Sequence, residues 1–293
     1  MNEKENIHKI IKKFSDKQEW MTNYILGEGL NTQGKINKGE KNRKKLSLIQ
    51  SLNLNGKKVL DVGSAEGYFS FYMALQGAEV VGLELDSLRV EKSKLVAEQI
   101  SEKKVSFYSR DLSEHKWVNE FGKFDYAFCY AVLHRVTDPI NLIASLFEVS
   151  DIVIFEWAAP YSFISDRLSI AMHPVNGKLD ARNISKNKKE GNSEYQGELL
   201  KRKPYYQLSP GFVINVSAEL GANHTKLIHA DKKIGLLRKI KASTIFLKNC
   251  LISNKQFAWP LTRRVILIAS RKPLPNINLK IEKYASWDGS LKI

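Results

Sequence analysis

Two carboxylates and two glycines in the first third of the chain have the types and spacing of a ligand-binding loop. The run Val59–Gly67 is Val-Leu-Asp-Val-Gly-Ser-Ala-Glu-Gly, in which an apolar segment ends at Asp61 and a glycine-bracketed turn follows. Because a backbone without a Cβ can approach a ligand closely, we assign Gly63 and Gly67 to ligand contact. Glu84 follows the next apolar run, 21 residues after Gly63. A strand–helix–strand unit places a carboxylate at that distance beside a bound ribose.

The spacing of the glycines limits what this loop can bind. It is Gly-x-x-x-Gly, and it lacks both the Gly-x-Gly-x-x-Gly of dinucleotide-binding proteins and the Gly-Lys-Ser/Thr of a phosphate-binding loop. The pattern therefore argues against a pyrophosphate or triphosphate ligand. A nicotinamide-binding unit of the Rossmann type is the disfavoured alternative.

The elements that must position these residues alternate between short apolar runs and longer amphipathic ones. Strands are predicted at 57–62, 79–84, 104–108, 124–130 and 151–156, and helices at 67–76, 87–101 and 139–149. The last helix follows Asp138-Pro139, an N-cap followed by proline at the first helical position. Such alternation predicts a parallel sheet covered by helices on both faces, with ligands at the carboxyl ends of the strands.

The later part of the chain completes the predicted sheet. A helix is predicted near 211–220, ended by Gly221, and strands at 224–229 and 263–270, the latter inserted antiparallel. Between these strands, Ile234–Ile252 is a basic amphipathic stretch, for which packing on its own domain is favoured over contact with a membrane or polyanion.

Four motifs in order resemble those of the class I S-adenosylmethionine-dependent methyltransferases. They are Val59–Gly67, Gly82-Leu83-Glu84, Asp111-Leu112 and Phe124–His134. The resemblance implies a Rossmann-like fold with a seven-stranded, mostly parallel sheet, helices on both faces, and S-adenosylmethionine as cofactor. It assigns the methionine part to Asp61 and Gly63, the ribose to Glu84 and the adenine to Asp111 and Leu112. The other predicted cofactor-binding residues are Ser64, Ala65, Gly67, Leu85 and Tyr130.

Three residues near the strand ends are candidates for the reaction itself. A hydroxyl acceptor needs a base, and His134 lies just beyond the fourth strand, with Glu156 at the end of the fifth as the other candidate. Arg135 could bind a carboxylate or phosphate of the acceptor. For His134 and Glu156, a purely structural role is the open alternative. No metal site is predicted, because His134, His173, His224 and His229 lack ligand spacing.

The segment Ala131–Pro139, with Thr32-Gln33-Gly34 upstream, is similar to the subgroup that contains the tRNA wobble-uridine carboxymethyltransferases. Those proteins usually have Val-Leu-Tyr-His-Arg here, and the tyrosine helps recognise a carboxylated cofactor. In this chain His134 stands in the tyrosine position and Arg135 in the histidine position. We therefore predict ordinary S-adenosylmethionine as the cofactor.

The predicted organisation has three parts. Residues 1–50 form a helical preface, which either closes over the cofactor or packs as an arm. Residues 51–272 form the methyltransferase domain with an inserted lid at about 157–210, and residues 273–293 form a C-terminal strap. Only two cysteines are present and no apolar run reaches 18 residues, which predicts a cytoplasmic protein without a spanning segment. The oligomeric state is not predicted.

Charge is distributed unevenly along the chain. Residues 51–156 carry 11 Lys or Arg and 16 Asp or Glu, a net −5, whereas residues 157–293 carry 24 and 9, a net +15. A basic half attracts anionic partners. We predict methyl transfer to an oxygen of an anionic or polar small molecule such as a sugar or sugar nucleotide, since a lid suits enclosure. Transfer to RNA is the alternative, and a non-catalytic cofactor-binding protein is the third hypothesis.

Overall fold

The computed structural model describes residues 3–26, 30–34, 40–99, 104–160, 169, 171–172, 206–229, 240, 244, 262–277 and 291–292. Packing divides these residues into two units. The first contains the described residues up to Asp111, together with 276–277 and 291–292, and the second contains those from Leu112 to Pro275. The basic run 182–189, the stretch Ile234–Ile252 apart from Ile240 and Thr244, and most of the predicted lid lie outside the described residues.

The first unit is a strand–helix repeat preceded by the preface. Its helices are α1 (Glu3–Lys17), α2 (Glu40–Ser51), α3 (Tyr68–Leu75) and α4 (Ser87–Gln99). Its strands are β1 (Tyr24–Ile25), β2 (Lys58–Val62), β3 (Glu79–Glu84), β4 (Val105–Ser109) and β11 (Leu291–Lys292).

Strands β2, β3 and β4 are parallel neighbours in the order β4-β3-β2. Nearly every residue of β2 and β3 is buried, as expected of parallel strands covered on both faces. The register pairs Val62 with Leu83 and Glu84 with Ser109. The carboxyl ends of β2 and β3 therefore lie side by side, and this brings Asp61 and Glu84 to the same edge of the sheet.

The second unit contains the remaining strands. A 3₁₀ helix (His115–Asn119) precedes β5 (Tyr126–Tyr130), α5 (Pro139–Val149) and β6 (Ile152–Pro160). Then come β7 (Ala171–Met172), β8 (Gln207–Leu208), α6 (Pro210–Glu219), β9 (His224–His229) and β10 (Thr262–Ser270). The strand order is β5-β6-β10-β9, and β10 is antiparallel to both of its neighbours.

Local sequence accounts for two helix starts in this unit. The Asp138 carboxylate accepts from the Asn141 N–H at 2.9 Å, with proline next to it at the first position of α5. The Ser209 hydroxyl caps α6 in the same way, accepting from the Phe212 N–H at 3.1 Å. The predicted helix start at Pro139 is thereby confirmed.

The predicted end of the fifth strand at 156 is wrong. β6 continues to Pro160, because its antiparallel partner β10 extends the hydrogen-bonded register as far as Thr262 opposite Pro160. Glu156 consequently lies inside the strand, opposite Ile266. The first residues of the predicted lid, 157–160, belong to the sheet and are buried. The pairing partner is more than a hundred residues away, so no local pattern marks this extension.

The described strands include the predicted seven-stranded sheet, mostly parallel, with one antiparallel strand inserted. This confirms the Rossmann-like class I methyltransferase fold. Within the described ranges, no helix has the length and apolar character needed to cross a membrane. The domain limits at 50 and 272 stay predictions.

Candidate functional site

The ligand loop, Gly63–Gly67, follows β2 in the first unit and is held by its own backbone. The N–H groups of Gly63 and Ser64 both donate to the Leu83 carbonyl, at 2.7 and 3.0 Å. The Gly67 N–H donates back to the Ser64 carbonyl at 2.8 Å. Ala65 has a φ of 52°, an unfavourable conformation for a residue with a Cβ. The loop is therefore a tight turn whose shape depends on its hydrogen bonds.

Gly67 has a role in packing besides the predicted ligand contact, which stays a prediction. It has a φ of 85°. A Cβ at this position would lie 2.7 Å from the Phe107 ring and 2.8 Å from the Phe71 ring. Both aromatic rings belong to the core of the first unit. The absence of a side chain thus lets the loop close onto β4 and α3, and the space beside its Cα is filled by protein.

Glu84, the predicted ribose-binding residue, ends β3 with its carboxylate fixed in place. One oxygen accepts from the Ala65 N–H at 3.0 Å, and the other accepts from the N–H groups of Leu85 and Asp86 at 3.0 and 3.1 Å. The residue is 8% exposed. Its negative charge is thus oriented at the surface of the loop, where carboxylate lone pairs can accept from paired hydroxyls.

Asp61, the predicted methionine-binding residue, is almost completely buried. Burial raises the pKa of its carboxyl from 3.8 to about 7, while the Ser70 hydroxyl and the Lys45 ammonium favour the ionised form. The Ser70 hydroxyl donates to Asp61 at 2.6 Å. A carboxyl that titrates near neutrality is poised to gain charge when a cationic ligand group comes next to it.

The remaining residues of this unit fit an S-adenosyl ligand. The Ser64 hydroxyl is buried and has no hydrogen-bond partner among the described residues. Leu85, directly after Glu84, is 38% exposed and offers apolar surface, and Asp111 is partly buried. Two carboxylates, one buried hydroxyl and an exposed leucine suit a ligand that carries an ammonium, paired hydroxyls and a flat ring. Asp61, Ser64 and Glu84 would hold its polar groups.

The second unit contributes the residues that follow β5. Tyr130 ends this strand, buried, with its ring edge-on to Phe128 at 5.5 Å. The Ala131 N–H donates to the Glu156 carbonyl at 2.7 Å, and the φ of Ala131 is 60°. This bond ties the turn after β5 to β6. Leu112, the other predicted cofactor-binding residue of this unit, is 8% exposed.

His134, the predicted base, is held in this turn and is fully buried. Its carbonyl accepts from the Tyr206 N–H at 3.0 Å, and the Arg135 Nε lies 3.4 Å from its Nε2. Burial, followed by the positive charges of Arg135 and Arg264, lowers the pKa of His134 well below 6.5. The imidazole is therefore neutral at physiological pH, as a proton acceptor must be, but an acceptor molecule cannot touch it without local rearrangement.

Glu156, the second candidate base, is paired with an arginine that the sequence did not single out. The Arg264 Nη1 lies 3.3 Å from one carboxylate oxygen of Glu156 and 3.5 Å from the other. Glu156 is 1% exposed, whereas the Arg264 side chain is 23% exposed. The buried Glu156 carboxylate therefore orients the Arg264 guanidinium.

Two charged residues, one in each unit, were missed by the sequence analysis although each lies next to a predicted site residue. Arg264 comes next to Glu156 only through the β6–β10 pairing, and its sole local signal is a charge at the start of an apolar strand. Glu66 lies within the ligand loop, yet its side chain is fully buried against Lys92. A lone glutamate in a glycine-rich turn would be expected in solvent. Among the described residues, no three His, Cys, Asp or Glu side chains form a metal-binding group.

The strand order and the single antiparallel strand are those of the Rossmann-like class I methyltransferase fold. Residues 53–156 match the family model described as "Methyltransferase domain". The match spans the ligand loop, Glu84 and His134, and it ends at Glu156.

Curated relatives match the same part of the chain. A "Ubiquinone biosynthesis O-methyltransferase" from Psychrobacter cryohalolentis is 34% identical over 98 residues, which cover 33% of this chain and 38% of that protein. The "O-antigen chain terminator bifunctional methyltransferase/kinase WbdD" of Escherichia coli is 30% identical over 106 residues, 34% of this chain and 15% of that one. The chain thus spans well under half of the length of these relatives.

A solved structure resembles nearly the whole chain. It is the N-terminal domain of EvdMO1, determined in the presence of SAH and D-fucose. The TM-score is 0.61 at 15% identity, with 93% of this chain and 98% of that one covered. At this identity the likeness establishes the fold.

Proposed function

We propose that the protein transfers the methyl group of S-adenosylmethionine to an oxygen of a small polar or anionic acceptor, such as a sugar or sugar nucleotide. The observation that carries the cofactor part is the Glu84 carboxylate, fixed by three backbone N–H groups at the ligand loop. Asp61 and the Ser64 hydroxyl would hold the methionine part. When bound, the cofactor supplies a methyl group already activated on sulfur.

What the protein must add is orientation of the acceptor. Correct alignment of two reactants can lower a barrier by roughly 7–11 kcal/mol. Arg264 and Arg135 are suited to this task, because a planar guanidinium binds carboxylate or phosphate with two parallel hydrogen bonds. Glu156 holds Arg264 at 3.3 Å, and Arg135 is exposed. An acceptor with one or two negative charges matches this pair of cations.

The hydroxyl proton of the acceptor needs a destination. His134 is the residue we propose, since its imidazole is kept neutral by burial and by two arginines. Its burial means that acceptor binding must first rearrange the turn after β5. Glu156 is the weaker candidate, because its carboxylate is engaged by Arg264. In that arrangement Glu156 positions the acceptor through Arg264.

The names of similar proteins support oxygen as the acceptor atom. The ubiquinone relative is an O-methyltransferase, and the EvdMO1 domain was determined with D-fucose, a sugar. These names describe the relatives and not this chain. An O-methyltransferase and a sugar-bound domain among its relatives are in keeping with a small-molecule hydroxyl as the acceptor proposed here.

The second candidate is an RNA methyltransferase. Residues 157–293 carry a net +15, and the Ala131–Pro139 segment resembles the tRNA wobble-uridine subgroup. A protein that contacts several phosphates loses affinity steeply with salt, with a log–log slope of about −0.7 to −0.9 per phosphate. A small acceptor held by arginines that are partly buried is screened far less.

Three measurements test the proposal. Calorimetry with S-adenosylhomocysteine should show binding to the purified protein, and its absence would overturn the cofactor assignment. Methyl incorporation should then be compared between a panel of sugars and sugar nucleotides and total tRNA, with binding measured at low and moderate salt. Methylation of tRNA together with a steep salt slope would favour the RNA candidate. Cofactor binding with no incorporation into any acceptor would favour the non-catalytic hypothesis.

Variants separate the two acceptor classes further. Neutralising Lys186, Lys188 and Lys189, which lie outside the described residues, should weaken RNA binding across sequences yet leave a small-molecule enzyme nearly unchanged. Arg135→Met should raise the KM for an anionic acceptor with little change in kcat. Lys272→Met, which removes an exposed cation of the same unit, is the matched control.

A further inference from the structure

A fully buried ion pair in the first unit has no part in the function proposed above. Lys92 in α4 and Glu66 in the ligand loop are both 0% exposed, with the Lys92 Nζ 3.1 Å from the Glu66 carboxylate. Burial raises the pKa of Glu66 and lowers that of Lys92, and each partner opposes the shift of the other. Apolar residues can often replace such a pair without loss of stability. Stability alone therefore does not explain this pair, and its contacts indicate a further role.

The pair holds one segment of backbone, Gln18–Tyr24, here called the arm. The second carboxylate oxygen of Glu66 accepts from the N–H groups of Met21 and Thr22, at 2.7 and 3.0 Å. The Lys92 ammonium donates to the carbonyls of Gln18 and Glu19, at 2.8 and 3.1 Å. Four backbone groups of the arm thus depend on two side chains.

Two aromatic residues of the arm also contact Glu66 and Lys92. The Tyr24 hydroxyl donates to the Glu66 carbonyl at 2.5 Å, and its ring lies edge-on to Phe71 at 5.6 Å. The Trp20 ring centroid is 4.9 Å from the Lys92 ammonium. Tyr24 and Trp20 are 0% and 3% exposed. The arm is therefore packed into the core of the first unit. The carboxylate and the carbonyl of Glu66 both accept hydrogen bonds from the arm.

The far side of the arm is fastened by Thr32 and Gly34. The Thr32 hydroxyl donates to the Thr22 carbonyl at 2.7 Å and accepts from the Tyr24 N–H at 2.9 Å. A Cβ on Gly34 would lie 2.1 Å from the Thr22 carbonyl oxygen, so only glycine permits this crossing. The arm is clamped between this crossing and Glu66.

The residue before Glu66 contacts the candidate ligand site. The preceding N–H, that of Ala65, donates to the Glu84 carboxylate at 3.0 Å. One short stretch of loop thus contacts the arm through Glu66 and the predicted ribose-binding carboxylate through Ala65. The positive φ of Ala65 makes its conformation dependent on both sets of bonds.

We propose that Glu66 and Lys92 are positioning residues that fasten the arm to the ligand loop, so that docking of the arm and binding of the S-adenosyl ligand stabilise each other. The ligand named here rests on the proposed function. Reciprocity follows from linkage: if a docked arm improves ligand affinity, bound ligand must favour the docked arm by the same factor.

Hydrogen exchange of the arm tests this coupling in the wild-type protein. The amides of Met21 and Thr22 exchange when the arm leaves Glu66. If S-adenosylhomocysteine binds only the docked form, a ligand concentration of 100 times Kd should slow their exchange by up to about 100-fold. Amides of β3 serve as an internal reference for ligand occupancy. Unchanged exchange of the arm with β3 responding would overturn the proposal.

The double variant Glu66→Gln/Lys92→Met separates positioning from simple structural support. It removes both charges, so no buried ion is left unpaired. We expect a folded protein with affinity for S-adenosylhomocysteine reduced about fivefold or more, and with arm exchange no longer sensitive to the ligand. Lys272→Met, which removes an ion pair of 2.6 Å in the second unit, is the control and should bind as the wild type does.

The outcomes are distinct. A folded double variant with wild-type affinity and ligand-protected arm amides would overturn the positioning role. If the double variant fails to fold, the exchange measurement on the wild type decides alone. If the wild type does not bind S-adenosylhomocysteine at all, the proposed function fails, and with it the ligand named in this coupling.

Discussion

Replacing Asp61 by asparagine should remove a pH dependence from the stability of the protein. The pKa of this carboxyl is raised by burial from 3.8 to about 7. Folding therefore favours the protonated carboxyl. The stability that the protonated Asp61 carboxyl contributes is fully present below 3.8, its pKa in the unfolded chain. That contribution is lost as the pH rises through about 7, its pKa in the folded protein. Asparagine has nearly the same shape and can still accept from the Ser70 hydroxyl, but it does not titrate.

The magnitude follows from the two pKa values. One unit of difference corresponds to about 1.4 kcal/mol, so the full shift is worth about 4 kcal/mol. Between pH 5 and 6 the free energy of unfolding of the wild type should fall relative to that of Asp61→Asn by about 1.3 kcal/mol. The decline should become shallower between pH 6 and 7, nearly stop above pH 7, and reach roughly 2.5 kcal/mol in all between pH 5 and 8.

Urea unfolding of both proteins at pH 5, 6, 7 and 8 measures this difference, in which the other titrating groups cancel. Ser70→Ala should move the flattening to higher pH, since the Ser70 hydroxyl favours the ionised form. Asp151→Asn is the control: Lys272 lowers the pKa of Asp151, so its contribution is lost only in acid and stays constant between pH 5 and 8. A difference between wild type and Asp61→Asn that is independent of pH would refute the reasoning.

Three further substitutions test the site. Glu84→Ala should weaken S-adenosylhomocysteine binding by about 1.5–3 kcal/mol in a folded protein, as calorimetry can show, because hydrogen bonds to a charged group are lost; unchanged affinity would remove Glu84 from the site. Gly67→Ala should lower the free energy of unfolding by about 1–3 kcal/mol more than Gly122→Ala. Both glycines have positive φ, but only a Cβ at position 67 would meet aromatic rings. Equal losses in the two variants would contradict this. His134→Ala should reduce turnover by roughly 10²–10⁴-fold without changing cofactor affinity; near-full turnover would leave His134 a structural residue.

The sequence alone determined those features of the fold that depend on neighbouring residues. The strand–turn–helix from Val59 to Leu75, the carboxylate that ends β3 and the capped start of α5 at Pro139 all follow from apolar periodicity, glycine placement and capping chemistry. Because βαβ units place strands in parallel, the convergence of Asp61 and Glu84 at one sheet edge was also predictable.

Tertiary structure decided which charges face one another. Arg264 reaches Glu156 because β10 pairs antiparallel with β6 in one register out of several. The same register extends β6 as far as Pro160. Glu66 turns away from solvent because Lys92 and the backbone of the arm satisfy its carboxylate in a buried space. Residue type and spacing cannot predict such pairings. Their energy depends on desolvation and on partners that are brought close only when the chain folds.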